Sequence, residues 1–402
     1  MKSQRGFTIT EIMVAVAIGL IGTLIVFKSL DNSNSVSRNV TGGSDAQTTG
    51  TLALYSIDRD VRQAGYGIND PAILGCQLRL SNATSGFTLP ADVTGNTAVL
   101  TPLQIRTDAD GNPILRVAYG GGRSVSGTKL VQTFPGSDAS ILRVANVYGM
   151  RRSGTMVLVT EGNTMEAENW LPGLRICSVY QTNSDISDDT TPPSIGRTSV
   201  SPFSPSSAYS GVTYSLNAKV FNLGQGNVSG NTALNTMQDT ANMPVWKEYR
   251  VNRATQTLEE RDLLRGEKDY KAIAPNVVDM YLDYVQRDGT FRTTSPVDNA
   301  GTDVGAYQTF RREWQDIVGV RISLLARDPN PDFSKGVACR NADASVITDT
   351  SKMITASTSH SLETGFPGVD PFQLSLGSNT DAYCYRYKTH STVITMRNAA
   401  WM

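Results

Sequence analysis

The sequence predicts an α+β protein: a long N-terminal helix that begins in a membrane and lays its C-terminal half on an antiparallel β-sheet, enlarged by further β structure. Three observations predict it. An uncharged apolar run from Ile12 to Phe27 follows a short polar and basic start. Apolar residues return at helical spacing at Leu54, Ile57, Val61 and Ala64. Beyond Gly65, short runs rich in β-branched and aromatic residues alternate with Gly, Pro, Asn and Asp turns.

The start, residues 1–6, carries Lys2 and Arg5 ahead of the apolar segment. From Phe7 to Phe27 the chain has 21 residues, about 31 Å of helix, which matches the hydrocarbon thickness of a bilayer. The two basic residues keep the start cytoplasmic and send the remainder outward. A cleaved secretory signal would end in a small-x-small site, and Lys28-Ser29-Leu30-Asp31 does not supply one. A plain anchor accounts for the length and flanks but not for Glu11. A carboxylate inside a membrane span costs about 2.5–3.5 kcal/mol even on the lenient scale, so Glu11 calls for a partner.

After Phe27 the chain turns polar, and the remainder of the helix is expected over 28–66. Gly42, Gly43 and Gly50 would each weaken it by about 1 kcal/mol relative to Ala, so a broken rod is expected there. The stripe from Leu54 to Ala64 is read as core contact with the sheet, with Asp58, Arg59, Asp60 and Arg62 on the surface. Gly65 and Gly67 end the helix.

A first β-rich region is expected over 67–181, with runs at 98–106, 114–119, 140–147, 155–160 and 174–181. Residues 182–245 are dense in Ser, Thr, Pro and Asp and read as a linker or large surface insert. A second β-rich region fills 246–402. There 248–252 and 256–262 form a hairpin, 277–285 and 317–326 are longer strands, and 383–396 closes the domain.

With Lys and Arg together at 36 against 37 acidic residues, no overall field points to nucleic acid. Basic residues such as Arg311, Arg312, Arg386 and Lys388 make no clear stripe, and DNA is not expected as a partner. Four cysteines, Cys76, Cys177, Cys339 and Cys384, and two histidines, His360 and His390, show no ligand spacing, so no metal or other cofactor is expected. In an exported chain the four cysteines read as two disulfides. Three connectivities are open, and the shorter loops favour Cys76–Cys177 with Cys339–Cys384. Each closure would contribute on the order of 3–5 kcal/mol.

Other chemistry is weaker. Gly122–Lys129 misses the phosphate-loop pattern, since Thr precedes Lys and the next stretch is strand-like. Asp108-Ala109-Asp110-Gly111-Asn112 has the oxygen density of a calcium loop without its twelfth-position Glu. Asp185, Asp188 and Asp189 read as a solvated turn. His390 and the adjacent Ser391 point to opposite faces of a strand, and no nucleophile elbow is present. No enzymatic activity is expected.

Arg5-Gly6-Phe7-Thr8-Ile9-Thr10-Glu11-Ile12-Met13-Val14-Ala15 resembles the leader of type IV pilins. The resemblance implies cleavage between Gly6 and Phe7 by a prepilin peptidase, methylation of the new Phe7 amine, and retention of the apolar helix. Glu11 then becomes the fifth mature residue and neutralises an N-terminal amine during assembly. Thr10 departs from the family, which more often has an apolar residue there. Ile57–Gly67, Trp314–Arg327 and the ending Tyr385-Arg386-Tyr387, Thr392-Val393-Ile394, Met396-Arg397-Asn398 resemble minor pilins of the PilW type. That implies a subunit priming pilus assembly at the filament tip, held in the inner membrane beforehand with its head in the periplasm. Its partners would be other minor pilins, the major pilin and a PilY-type tip adhesin. A tip adhesin or DNA receptor, with 182–245 as its binding loop, and a type II secretion pseudopilin are the alternatives.

Overall fold

The computed structural model describes residues 8–68, 70, 73–79, 99–109, 111–121, 127–132, 134, 135, 141–150, 155–160, 176–197, 213, 214, 216, 218–225, 243–265, 267–296, 304–329 and 387–398. The chain divides into two compact units, one of residues 1–50 and 325–389, the other of 51–324 and 390–402.

Helix α1 spans Ile9–Gln63, 55 residues in one piece. The expected break does not occur, and α1 passes through Gly42, Gly43 and Gly50. A propensity cost of about 1 kcal/mol per glycine is small beside contacts the rest of the fold supplies. Gly42 shows the compensation: a Cβ there would overlap the Asp328 carboxylate, so the missing side chain admits a close neighbour. The hydroxyls of Thr23, Thr41 and Thr48 donate to carbonyls three or four residues back, at 2.8–3.0 Å, which satisfies them within the helix. α1 stops where expected, and Gly65 and Gly67 follow with positive φ of 81° and 74°.

In the second unit, five strands form an antiparallel sheet in the order Lys271–Pro275, Thr257–Asp262, Val245–Asn252, Pro113–Tyr119, Leu103–Thr107. Alternation gives the strand Pro113–Tyr119 two buried faces. Leu115 and Val117 join Ala53, Ile57 and Val61 of α1, and Ala64 just beyond its end, in one hydrophobic cluster with Tyr249, as the helical stripe predicts. Ala118, on the other side of the pleat, joins a second cluster with Trp246, Leu264, Ile68 and Ile73.

The polar positions on that side are buried too. Glu248 accepts from Arg116 (Nε 3.0 Å, Nη2 2.6 Å), Arg106 (3.0 Å), Arg261 (2.7 Å) and Tyr270 (2.9 Å). Arg116 also donates to Gln104 Oε1 at 2.8 Å and lies 4.8 Å over the Trp246 ring. Burial alone would push the Glu248 carboxyl up; the Arg116 and Arg261 guanidiniums outweigh it and hold it down at about 2.

The first cluster is completed by strand Val277–Gln286, which belongs to a four-stranded sheet ordered Phe291–Arg292, Val277–Gln286, Ile317–Arg327, Tyr387–Thr395. Helix α2, Val304–Gln315, adds Phe310 and Trp314. The sequence reading missed α2. Gly319 lets strands close in, since a Cβ there would strike the Ile394 carbonyl.

An eight-stranded sheet holds the remaining longer strands, among them Thr155–Thr160, Ile176–Ser187 and Lys219–Gln225. Its pair Cys76–Arg79 with Ile176–Ser187 is parallel, while the helix-bearing five-stranded sheet is antiparallel as expected. The linker expected over 182–245 also needs correction. Ile176–Ser187, Ser194–Arg197, Thr213–Tyr214 and Lys219–Gln225 are strands, and Ile195, Tyr214 and Val220 are fully buried in a third cluster with Leu142 and Tyr180. Turn-rich composition hid the shortest of them, because Ser194–Arg197 and Thr213–Tyr214 each bring a single residue, Ile195 and Tyr214, to that cluster.

Candidate processing and assembly segment

Gly6 and Phe7 lie outside the described residues, which begin at Thr8. Thr8 stands immediately before α1 and caps it. Its backbone N–H and its hydroxyl donate to Glu11 Oε2 at 2.9 and 2.8 Å, while Glu11 N–H donates back to the Thr8 hydroxyl at 3.4 Å. This is a capping box, in which a Ser or Thr and a Glu three residues on exchange bonds with the orphan N–H groups of a first turn. The sequence contains that signal as Thr8-Ile9-Thr10-Glu11, and the reading that sought a partner for Glu11 passed over it. The box fixes the carboxylate at the mouth of the helix, four residues from Phe7, where the helix dipole favours negative charge.

Ile9–Leu30 follows, 22 residues long and apolar enough to cross a membrane. Its large apolar side chains are 54–79% exposed, so among the described residues this segment has no internal core to bury them.

At the other end of α1 the helix is locked to the head. Asp60, expected on the surface, is fully buried. It lies three residues past Ile57 and one before Val61, on the inward side of the stripe. Its carboxylate accepts from Tyr249 (2.6 Å) and Tyr119 (3.1 Å), with Lys247 Nζ at 3.2 Å and Arg59 Nε at 3.3 Å. Burial would raise its pKa, and the Tyr249 bond and the Lys247 charge lower it overall. The closing turns knit α1 to the sheet: Gly65 N–H donates to the Ala118 carbonyl at 2.9 Å, and Gly120 N–H to the Tyr66 carbonyl at 2.6 Å.

Cys76 and Cys177 are joined, with Cα atoms 5.8 Å apart across the parallel strand pair. Cys339 and Cys384 lie outside the described residues. At Asp108 both carboxylate oxygens bond Asn112, to its N–H at 2.7 Å and its side-chain amide at 3.0 Å, in the turn between two strands of the five-stranded sheet. Gly127–Lys129 is a strand, while 122–126 lie outside the described residues. Ser391 shares a hydrogen bond with Ser323 at 2.7 Å.

The prokaryotic N-terminal methylation motif matches residues 1–27. The chain thus carries a prepilin-type N-terminus, which implies processing by a prepilin peptidase, membrane anchoring and assembly with other pilins. Among solved structures, a type IV-like pilin from Thermus thermophilus is similar at 14% identity, over 45% of this chain and 78% of that one. Its TM-score is 0.22, too low to define a common fold. No curated protein matches the sequence.

Proposed function

We propose that this protein is a minor pilin of a type IV pilus, of the PilW type, which primes filament assembly and sits at the tip. The single observation that carries the reading is the methylation motif matched over residues 1–27 together with a 55-residue helix from Ile9 whose first 22 residues expose their large apolar side chains. Such a surface is stable only in lipid or against other helices. The PilW assignment rests on the resemblance of 57–67, 314–327 and the C-terminal motifs.

Cleavage after Gly6 removes Lys2 and Arg5 and creates an ammonium at Phe7, one residue from the capping threonine. Neither that cation nor the Glu11 carboxylate is tolerable alone in a low dielectric. Pairing with a neighbouring subunit's amine would set the axial register between packed helices. The head then meets other minor pilins and a PilY-type adhesin, and Cys339 pairs with Cys384.

Mass analysis of membrane-extracted protein tests the first step: the expected N-terminus is N-methylated Phe7, and an intact Met1 or a cut near residue 30 ends the proposal. Glu11→Ala is expected to leave processing intact and to block incorporation into filaments. Normal piliation in that variant would remove the pairing role.

A further inference from the structure

The edges of the five-stranded sheet are poor docking sites. At one edge the Ile105 backbone is already occupied, its N–H donating to the Tyr284 hydroxyl and its carbonyl accepting from Ser295. The other edge strand opens with exposed Lys271 and ends on Pro275, which discourage strand addition.

A different feature of the same unit is open. Where α1 ends, its last turn, the ends of Pro113–Tyr119 and Val245–Asn252, and the chain just after Tyr387–Thr395 enclose a cleft of about 420 Å³, within the usual range for ligand sites. Tyr66, Tyr119, Met243 and Val245 form its apolar lining, and Arg62 and Arg397 contribute two cations with no acidic residue among the lining. Arg62 spends only its Nε on Asp58, at 2.7–2.9 Å, so its two terminal amino groups are unpartnered among the described residues. The exposed Arg397 side chain has no partner there either.

A helix C-terminus would ordinarily repel an anion through its free carbonyls. Here they are consumed. Arg397 N–H donates to the Arg62 carbonyl at 3.3 Å, and the Asn398 amide to the Gln63 and Ala64 carbonyls at 3.4 and 3.2 Å. With the Arg62 charge already met by Asp58, the cleft keeps its net positive charge through Arg397, and Gln63 and Asn398 add polar lining. Two guanidiniums suit carboxylates as paired donors, and the phenol rings and Met243 suit the aliphatic part of a side chain.

We propose that this cleft receives an acidic, extended segment of a neighbouring subunit, its Asp or Glu carboxylates held by Arg62 and Arg397. The inference rests on the filament-subunit reading and names the chemistry of one of its contacts.

The test uses the full processed chain in detergent and two pools of blocked peptides with randomised flanks, one with two fixed Glu residues, the other with Gln in their place. The Glu pool is expected to bind at least about tenfold more tightly, a single charge-assisted contact being enough for that ratio. Binding should weaken as salt rises, and Arg397→Gln and Arg62→Gln should each lower it about tenfold. Inorganic phosphate and free glutamate at equal concentration should not compete. Equal binding of the two pools, no binding, or wild-type affinity in both variants overturns the proposal. Full displacement by phosphate makes the cleft a small-anion site and overturns it too. Intact mass on the same samples separates the two readings. A retained leader sinks the filament role itself, whereas a removed leader with no discrimination between pools sinks only the cleft.

Discussion

The two ends of α1 belong to one unbroken helix and solve opposite problems. Ile9–Leu30 displays its apolar side chains outward and keeps its one carboxylate, Glu11, tied to its own cap. Thr51–Gln63 turns Ala53, Ile57 and Val61 into a core and sends the carboxylate of Asp60 inward to two tyrosines and a lysine. One end is completed by molecules outside the chain and the other by the chain itself. Substitutions in the head should therefore be read in unfolding, and substitutions in the stem in assembly.

The largest effect is expected at Glu248, which neutralises the buried cations of the head. Glu248→Leu removes the buried carboxylate that Arg116 and Arg261 share and should lower the unfolding free energy by about 3–5 kcal/mol, measured by denaturant titration of the full chain in detergent. A loss below about 1 kcal/mol would mean the network is not what holds that face. Because the Glu248 carboxyl is held down at about 2, its contribution is complete above the ordinary carboxylate range. It should disappear as pH falls through that range toward about 2.

Next comes Asp60→Asn, which keeps the shape but removes the charge that Tyr249 and Lys247 meet. About 1.5–3 kcal/mol should be lost, the range for a hydrogen bond to a charged group. No change in unfolding would show that the apolar stripe alone docks the helix.

A smaller effect is expected at Asp262, whose burial, opposed by the Arg265 charge, raises its pKa to about 7. The folded state then holds a proton that the unfolded chain releases, so stability falls as pH climbs from about 4 to about 7. Asp262→Asn should flatten that slope, which for one bound proton is at most about 1.4 kcal/mol per pH unit, and an unchanged pH profile would argue against a protonated Asp262. Smallest of all in this assay is Ile18→Ala, at a position 65% exposed. Head unfolding should move by less than about 0.5 kcal/mol, and a larger shift would erase the division between the two ends.

What could be read from sequence was what is local. The leader, the apolar span, the helical stripe and its glycine stop each sit within a few consecutive residues, and strands such as 113–119 and 277–286 announce themselves by alternation and flanking turns. The capping box was equally local, and it went unread because Glu11 was considered as a charge rather than as the fourth residue of a helix start. The remainder depends on distance along the chain. Arg116 and Glu248 are 132 residues apart, and neither looks unusual in its own neighbourhood. Phe310 and Trp314 share a face of α2, but Arg311, Arg312 and Glu313 between them give the segment a polar look. The cleft draws on Arg62, Tyr119, Val245 and Arg397, which only folding brings together. Asp60 was misplaced because an acid beside Arg59 and Arg62 looks solvated until Tyr249 and Lys247 arrive from the sheet.

The bond between Cys76 and Cys177 bears on how the molecule would carry load. A pull along α1 reaches Cys76 soon after the helix ends, and from there the covalent tie passes it straight to Cys177, a jump of 101 positions. The intervening chain is short-circuited and cannot pay out under tension unless the bond is reduced, so the load falls next on the chain that follows Cys177.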